Sequence, residues 1–271
     1  KDYAARDRLD RRDAALAARL LYGVVQNCML LDFYLAQAVS SPLAKLQPVV
    51  LDILRLGAYQ ILFLDKIPVS AAVNEAVEQT KTYANKRAAG LVNGSLRTLA
   101  RRRDELVQPH DLATKYSHPQ PLVDCLRASM DDETLEAFLA ADNDIPKTAL
   151  QVNPLKAAPE QVAAALDEAG VAYEPHPWLH GCFLVSGTGN LEALPLFQSG
   201  AVYVQDPAAK LSVLCAGLPE TGGNALDCCA APGGKSFAAA IAMGGKGSIV
   251  SCDIYPHKTA LIENGAARLG L

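Results

Sequence analysis

Residues 225–236 read Ala-Leu-Asp-Cys-Cys-Ala-Ala-Pro-Gly-Gly-Lys-Ser. This pattern predicts a strand that ends at a Pro-Gly-Gly turn and continues at once as the Ala-rich helix of residues 237–242. Two adjacent glycines let backbone N–H groups approach a ligand without interference from Cβ, and the helix N-terminus adds partial positive charge. A second apolar run, residues 248–252, ends in Asp253, where an acid binds the ribose hydroxyls of a nucleotide-type ligand. The stretch predicts a site for an adenosine-type ligand; an ordinary βαβ crossover turn is the alternative.

The identity of the ligand follows from what this turn lacks. A P-loop needs a glycine five residues before Gly234, and Cys229 stands there. A dinucleotide-binding turn needs three spaced glycines, and only Gly233 and Gly234 are present. Without a third glycine and a pyrophosphate cradle, S-adenosylmethionine is a better candidate than ATP or NAD.

The composition is that of an ordinary globular protein. Of its 271 residues, 50% are hydrophobic and 20% are charged. The longest apolar tract, residues 49–64, is interrupted by Asp52, Arg55 and Gln60, so it predicts a buried helix and not a membrane span. The seven cysteines show neither a CxxC pair nor a zinc-ligand spacing, which favours reduced cytosolic thiols and no metal site.

Charge is distributed unevenly along the chain. Residues 1–105 contain 16 Lys and Arg against 11 Asp and Glu, whereas residues 106–271 contain 9 against 18. A basic first part on an acidic body favours an anionic partner for that first part. The alternative is a solvated basic helix face.

The first hundred residues predict a bundle of helices with short breaks. Pro48 opens a helix that is apolar nearly all round, and we expect it at the centre of the bundle. The last helix, about residues 87–103, ends with more arginine than capping of the helix dipole requires, which favours contact with RNA phosphates. The candidate RNA-binding residues are Lys86, Arg87, Arg97, Arg101, Arg102 and Arg103.

The pattern changes after the bundle. Residues 107–120 predict a linker, because prolines are frequent and the periodicity is lost. Two short helices and a small α/β unit follow. The predicted elements are helices over 122–130 and 133–141, strands over 148–152, 171–173 and 182–185, and helices over 159–169 and 191–196. Residues 201–206 predict a further strand that leads into a helix over 207–216 and should border the same pocket as the Pro-Gly-Gly turn.

Three separated stretches carry a resemblance to a known family. Residues 227–236 match the pattern DxCAAPGGKT with Ser236 in place of Thr, and Val204-Gln205-Asp206-Pro207 is similar to the segment before it. Residues 56–63, 73–77 and 90–97 resemble a NusB-like RNA-binding domain. Together these stretches resemble the bacterial ribosomal RNA small-subunit methyltransferase B family, the cytosine-5 methyltransferases of 16S ribosomal RNA, over essentially the whole chain.

The resemblance implies a cofactor and a mechanism. The cofactor is S-adenosylmethionine, and a Cys thiolate adds to carbon-6 of an extruded cytosine so that carbon-5 can take the methyl group. It also implies that Asp253 accepts hydrogen bonds from the ribose and that Asp227 orients the loop. The implied cofactor-binding residues are Cys229, Ala230, Ala231, Pro232, Gly233, Gly234, Lys235 and Asp253.

The catalytic cysteines are expected elsewhere. In the family they follow the fourth and fifth strands of the catalytic sheet, whereas this chain reaches only the helix after Asp253. Cys229 matches a loop-wall cysteine of the motif, and Cys228 stands where the family has an apolar residue. We therefore expect no catalytic residue within 1–271, a nucleophilic Cys beyond residue 271, and no activity from residues 1–271 alone.

The predicted architecture is multidomain. It comprises an all-α NusB-like helical bundle over 1–106, a linker over 107–120, a small α/β (partial RRM-like) domain over 121–200 and the start of a Rossmann-like S-adenosylmethionine-dependent methyltransferase domain over 201–271. The expected function is methylation of carbon-5 of a cytosine in 16S ribosomal RNA by a cytoplasmic monomer without membrane contact or metal. The alternative is an RNA-binding, antitermination-type module with a non-catalytic methyltransferase remnant.

Overall fold

A computed structural model describes residues 9–271. The chain divides into two units, Lys1–Asp144 and Ile145–Leu271. Within the described residues, the first unit contains helices and no strand, whereas the second unit carries two sheets. No single helix among these residues is long and apolar enough to cross a membrane, and a bent pair of consecutive helices, Arg12–Gln26 with Cys28–Ala36, meets the length and composition criteria only jointly.

The helices of the first unit follow the apolar pattern of the sequence. They are α1 (Arg11–Gln26), α2 (Cys28–Ala36), α3 (Pro48–Phe63), α4 (Val69–Tyr83), α5 (Lys86–Arg101), α6 (Leu112–Tyr116), α7 (Gln120–Arg127) and α8 (Asp132–Asp142). Helix α3 begins at Pro48, which is suited to a first helical position because it has no N–H to satisfy. Ile53, Leu54 and Ala58 of α3 are buried in the main core of this unit, so the predicted central helix is confirmed.

Residues 107–120 differ from their prediction. The loss of periodicity predicts a linker, but the structure has helix α6 there, capped by Asp111, whose carboxylate accepts a hydrogen bond from Thr114 N at 2.7 Å. Ala113 of α6 lies in a small core that α6, α7 and α8 form with Met29 of α2. A five-residue helix is too short to show a helical period, which is why the sequence pattern misses it. Helices α6–α8 therefore lie in the first unit, and the division at residue 121 is not where the packing changes.

The first sheet of the second unit is antiparallel and has four strands in the order β2-β3-β1-β4. Its elements are β1 (Thr148–Val152), α9 (Pro159–Glu168), β2 (Ala172–Pro175), β3 (Cys182–Ser186), α10 (Pro195–Gln198) and β4 (Val202–Val204). This βαββαβ succession with that strand order is ferredoxin-like. Leu150, Val162 and Leu166 are buried between the sheet and α9.

Strand β4 corrects one predicted boundary. The sequence assigns residues 201–206 to the methyltransferase part, but β4 pairs with β1, with Leu150 opposite Val204 and Val152 opposite Val202. It therefore completes the ferredoxin-like sheet. The choice of partner strand depends on residues about fifty positions earlier, and the sequence of β4 itself does not contain it.

The second sheet has two parallel strands and positions the Pro-Gly-Gly turn. Its segment comprises α11 (Pro207–Cys215), β5 (Gly223–Asp227), α12 (Gly234–Ala242), β6 (Gly247–Ser251) and α13 (Thr259–Leu269). The strands pair in register from Gly223 opposite Gly247 to Asp227 opposite Ser251. Both strands end at the same edge, so the turn after β5 and the residues after β6 lie side by side.

Polar contacts join this segment to the ferredoxin-like sheet. Asn153, fully buried after β1, donates from Nδ2 to Gly200 O at 3.1 Å and to Leu269 O at 3.0 Å. The guanidinium of Arg268 lies over the Phe197 ring and donates to Val202 O at 2.9 Å. The end of α13 is thus fixed against the turn that precedes β4.

Candidate cofactor site

Asp227 fixes the shape of the turn between β5 and α12. Its Oδ1 accepts a hydrogen bond from Cys229 N at 3.3 Å, and its Oδ2 accepts one from Ser236 Oγ at 2.8 Å. Ser251 Oγ of β6 in turn donates to Ser236 Oγ at 2.8 Å. Each oxygen of Asp227 thus accepts one hydrogen bond within the loop, so this carboxylate orients the turn; the absence of a ligand contact stays a prediction.

Asp253 ties the turn to the end of β6. Its Oδ1 accepts from Tyr255 N at 3.0 Å and its Oδ2 from Ala231 N at 3.2 Å. The hydrogen bond from Tyr255 N–H, followed by that from Ala231, holds the pKa of Asp253 below its usual value, so the group is a carboxylate at neutral pH. Each oxygen can accept a further hydrogen bond, which is what the predicted ribose contact requires.

Gly233 is required by the geometry of the turn. Its φ is +113°, in the region that favours glycine, and a Cβ at this position would clash with the Phe237 ring. The same ring lies against Gly265 of α13. The turn therefore packs directly on the first turn of α12, and the Ala231–Pro232 peptide within it is cis.

The N-terminus of α12 offers free donors. The first intrahelical bond runs from Phe237 N to Gly233 O, at 2.8 Å, and Gly233 supplies no side-chain cap. The N–H groups of Gly234, Lys235 and Ser236 have no acceptor among the described residues. Such a helix end attracts an anionic group.

The residues present fit S-adenosylmethionine in chemical type. The turn combines free N–H donors with a close approach to the backbone at Gly233 and Gly234, and it has a carboxylate at the tip of the neighbouring strand. The predicted lining residues, 229–235, form one continuous turn beside Asp253. Their contact with a cofactor stays a prediction.

Three exposed cysteines lie at the ends of the two parallel strands: Cys228, Cys229 and Cys252. Cys252 N donates to Asp227 O, and Cys252 O accepts from Ala230 N, so Cys252 is part of the backbone frame of the turn. Among residues 9–271, no group of three His, Cys, Asp or Glu side chains is arranged to hold a metal ion. The expectation that none of these cysteines is catalytic stays a prediction.

The segment before α11 lies beside the turn, and sequence reasoning captured only part of it. Asp206 caps α11, accepting from Ala208 N at 2.8 Å and Ala209 N at 3.2 Å. Gln205 is 6% exposed and lies against Gly234. The resemblance singled out Gln205 as part of a motif but implied no role for it.

The predicted RNA-binding residues separate into two groups. Arg102 donates to Gln37 O at 3.1 Å, and Arg103 donates to Leu62 O at 3.2 Å and lies 3.8 Å from Asp65. Arg97 donates to Asn93, four residues earlier on α5, at 2.9 Å. No side-chain hydrogen bond or ion pair to another described residue is found for three of them: Lys86, Arg87 and Arg101.

The exposed face of α5 carries Arg87 and Arg101 of this group together with Arg97. Arg87, Gly90, Gly94, Arg97 and Arg101 recur at intervals of three and four residues and are all exposed. A Cβ at either glycine would meet open space, so the middle of this face is bare backbone between cationic ends. Contact with RNA stays a prediction.

Comparison with protein families identifies two domains. Residues 1–101 match the NusB family, and residues 118–192 match the RsmF/B-like methyltransferase, ferredoxin-like domain. The second match crosses the division between the two units at residue 144. The limits of the matched family domain therefore differ from those of the compact unit. Apart from the packing found at residues 107–120 and at β4, the four-part division predicted from the sequence stays a prediction.

Curated relatives match nearly the whole chain. The chain is 36% identical over 269 residues to the probable ribosomal RNA small subunit methyltransferase B of Bacillus subtilis, covering 97% of this chain and 59% of that protein. It is 30% identical over 261 residues to ribosomal RNA small subunit methyltransferase B of Escherichia coli O1:K1, covering 96% of this chain and 60% of that protein. The chain thus spans about three fifths of the length of these relatives.

Two solved structures share the fold. One is the crystal structure of PH0851, with a TM-score of 0.73 and 22% identity over 99% of this chain and 62% of that chain. The other is a methyltransferase homolog protein from Pyrococcus horikoshii, with a TM-score of 0.53 and 22% identity over 59% of this chain and 52% of that chain. With a NusB match, a ferredoxin-like match and these relatives, the chain is similar to ribosomal RNA small subunit methyltransferase B over the three fifths of that protein that it spans.

Proposed function

We propose that this protein uses S-adenosylmethionine to methylate carbon-5 of a cytosine in 16S ribosomal RNA. The observation that carries the proposal is the turn between β5 and α12, with three free N–H donors and a carboxylate at the end of the neighbouring strand. Bound S-adenosylmethionine supplies an activated methyl group. The proposed substrate, 16S ribosomal RNA, is supported by the names of the curated relatives, which are ribosomal RNA small subunit methyltransferases.

The residues of this chain bind and orient, and they do not attack the base. Asp253 accepts the ribose hydroxyls, and the N-terminus of α12 faces an anionic group of the cofactor. Asp227 holds the turn in the shape that both contacts need. None of the three exposed cysteines at the strand ends is assigned as the thiolate that adds to the cytosine.

The RNA is held in part by the first unit. The exposed face of α5 presents Arg87, Arg97 and Arg101 with two bare glycines between them. Cationic side chains contact phosphates, and a helix without side chains in the middle of its face allows the sugar–phosphate backbone to come close. We propose that the protein acts in the cytoplasm as a monomer.

The test is a map of 5-methylcytosine in 16S ribosomal RNA. Bisulfite sequencing of a strain that lacks the gene should show one cytosine unmethylated, and the wild-type gene should restore it while an Asp253→Ala gene should not. A control gene carrying Glu263→Ala, an exposed carboxylate on α13, should restore it. An unchanged map in the deletion strain would exclude the 16S assignment.

Binding of S-adenosylhomocysteine to the purified full-length protein separates the enzyme from its alternative. A methyltransferase should bind it, whereas an antitermination-type module with a non-catalytic remnant should bind RNA alone. Binding together with an unchanged 16S map would point to a different RNA substrate.

A further inference from the structure

A cleft lies between the ferredoxin-like sheet and the first turn of α12. Its volume is about 320 Å³, which is enough for one nucleobase with its sugar. Its lining is mostly apolar and includes one cation and one carboxylate. The residues that define it are Glu192, Phe197, Val204, Pro232, Phe237 and Arg268. Asp253 is not part of this lining, so the cleft is separate from the predicted ribose contact.

Arg268 has one free edge on its guanidinium. Its Nη1 donates to Phe197 O and Val202 O, and its guanidinium carbon lies 3.8 Å from the centre of the Phe197 ring. Its Nε and Nη2 have no acceptor among the described residues. Nε and Nη2 form an edge with which an arginine binds two acceptors at once. Burial lowers the pKa of Arg268, and no carboxylate among residues 9–271 forms an ion pair with it.

Glu192 supplies the opposite charge. It lies in the single 3₁₀ turn Leu191–Ala193, where Asn190 Oδ1 accepts a hydrogen bond from Glu192 N at 3.2 Å. The residue is exposed, and its carboxylate makes no hydrogen bond or ion pair within the described part of the chain. Because Glu192 and Arg268 border the same cleft without pairing, both are available to a ligand.

The two charges restrict the chemistry of that ligand. A phosphate would be attracted by Arg268 but repelled by Glu192. A neutral ring that has two donors on one edge and two acceptors on the next satisfies both residues. Guanine has this pattern, because N1–H and the N2 amino group donate while O6 and N7 accept. Adenine has an amino group in place of O6, so it would set a donor against the donors of Arg268.

We propose that this cleft is a subsite for one unstacked guanine of the RNA substrate, an inference that rests on the proposed function. Arg268 donates from Nε and Nη2 to O6 and N7, and Glu192 accepts from N1–H and the N2 amino group. Proteins recognise single-stranded RNA through such contacts to base edges and through packing of the ring on side chains. Val204, which is 48% exposed, supplies apolar surface for the ring.

Strands with one altered base test each contact without changing the protein. The reference is a short uridine-rich oligoribonucleotide that contains one guanine beside one cytosine. Fluorescence anisotropy with the full-length protein should show that adenine in place of the guanine weakens binding roughly 10- to 100-fold. Inosine, which lacks the N2 amino group, and 7-deazaguanosine, which lacks N7, should each weaken it about 10-fold.

Glu192→Ala tests the carboxylate in an exposed position where the fold does not depend on it. This variant should bind the guanine strand about 10-fold more weakly than the wild type and should no longer distinguish it from the inosine strand. It should still discriminate against 7-deazaguanosine, since Arg268 is unchanged. Glu168→Ala, an exposed glutamate on α9, is the matched control and should keep every preference of the wild type. S-Adenosylhomocysteine should bind Glu192→Ala and the wild type equally.

The opposite results are equally specific. Equal affinity of the wild type for the guanine and adenine strands would overturn the subsite while leaving RNA binding intact. Weaker S-adenosylhomocysteine binding by Glu192→Ala would place the cleft in the cofactor site and overturn the proposal too. Guanosine monophosphate should compete far less well than the unlabelled strand; equal competition would make the ligand a free guanine nucleotide and overturn the RNA assignment. If the wild type binds neither strand, the proposed RNA substrate fails first, before any variant is compared.

Discussion

At the scale of single residues, two acids at neighbouring strand ends have different roles. Asp227 has both oxygens engaged by Cys229 N and Ser236 Oγ, so it shapes the loop from inside. Asp253 accepts one backbone N–H on each oxygen, from Ala231 and Tyr255, so it joins the turn to the end of β6, where the ribose contact is proposed. The position of Asp253 after the second strand predicts this from the sequence. The buried amide of Gln205 has no hydrogen-bond partner among the described residues, which could not be predicted, because whether a partner is present depends on packing.

The first prediction concerns Asp253. Asp253→Ala should weaken the binding of both S-adenosylhomocysteine and 5′-methylthioadenosine, because both contain the ribose. The loss of a charge-assisted hydrogen bond should cost about 1.5–3 kcal/mol of binding free energy. Calorimetry measures it, with Glu263→Ala as the control. Unaltered binding of both ligands would refute the ribose contact.

At the scale of elements, the face of α5 shows what the sequence can and cannot indicate. The sequence pattern correctly predicted a helix here with arginines clustered at its end. It could not distinguish the residues that bond to neighbouring backbone, Arg102 and Arg103, from those that face solvent, Arg87 and Arg101. That distinction depends on which loops pack beside the helix end, and it changes which residues are best suited to contact RNA.

The second prediction separates these two groups. The triple variant Arg87→Ala, Arg97→Ala and Arg101→Ala should bind RNA more weakly and with a flatter salt dependence. Each lost phosphate contact should remove about 0.7–0.9 from the slope of log affinity against log salt. The control variant Arg102→Ala with Arg103→Ala should lower stability more than it changes this slope. The RNA face would be misplaced if the control flattened the slope as much as the triple variant.

Short helices depend on their caps. Asp111 accepts from Thr114 N at the start of α6, and Asp131 accepts from Thr134 N at the start of α8, each at 2.7 Å. In both cases the hydrogen bond from this backbone N–H holds the pKa of the carboxyl below its usual value. Folding therefore favours the ionised form of both capping carboxyls.

The third prediction is a loss of stability in acid. A carboxyl with a lowered folded pKa stabilises the fold above its unfolded pKa, about 3.9 for Asp, and loses this effect as the pH falls through the folded value. Urea unfolding between pH 5 and pH 2 should therefore show decreasing stability of the first unit. Asp111→Asn should reduce this pH dependence, because Asn caps a helix without a charge. An identical pH dependence in that variant would show that the Asp111 cap does not contribute.

Element patterns alone also fail at β4. The helices over 159–168 and 207–215 and the strand over 148–152 were predicted nearly in full, since each has enough residues to show its period or its caps. Strand β4 was predicted as a strand but placed in the wrong sheet. Strand β4 has only three residues. Their sequence is typical of a strand but does not indicate which strand it pairs with.

At the scale of the whole molecule, the limits of the family matches differ from the limits of the two compact units. The ferredoxin-like family match begins at residue 118, whereas the second compact unit begins at Ile145. Helices α7 and α8 are thus inherited with the sheet but pack with α6 and Met29. A sequence pattern detects the start of a family match. It does not show where one compact unit ends and the next begins, because that depends on packing.

The fourth prediction places the most accessible cut between the units. Ile145 is 88% exposed and follows the end of α8. Endoproteinase Asp-N cuts before aspartate, and Asp144 is exposed, so limited digestion should first give fragments ending at Asn143 and starting at Asp144. Mass spectrometry identifies the fragments. Early cuts within residues 102–117, between the two family matches, would contradict the division at residue 144.

The hydrogen bonds of Asn153 imply that parts of the second unit form in sequence while the chain is synthesised. One of the two acceptors of its buried Nδ2, Leu269 O, lies 116 residues later in the chain. At about 5–20 residues per second, that acceptor leaves the ribosome roughly 6–23 s after Asn153 does. During this interval the sheet of β1–β4 can pair, but Asn153 Nδ2 has only one of its two acceptors, Gly200 O. The nascent ferredoxin-like sheet therefore reaches full stability only when α13 arrives, so the last helix of this segment completes a domain whose strands were made long before it.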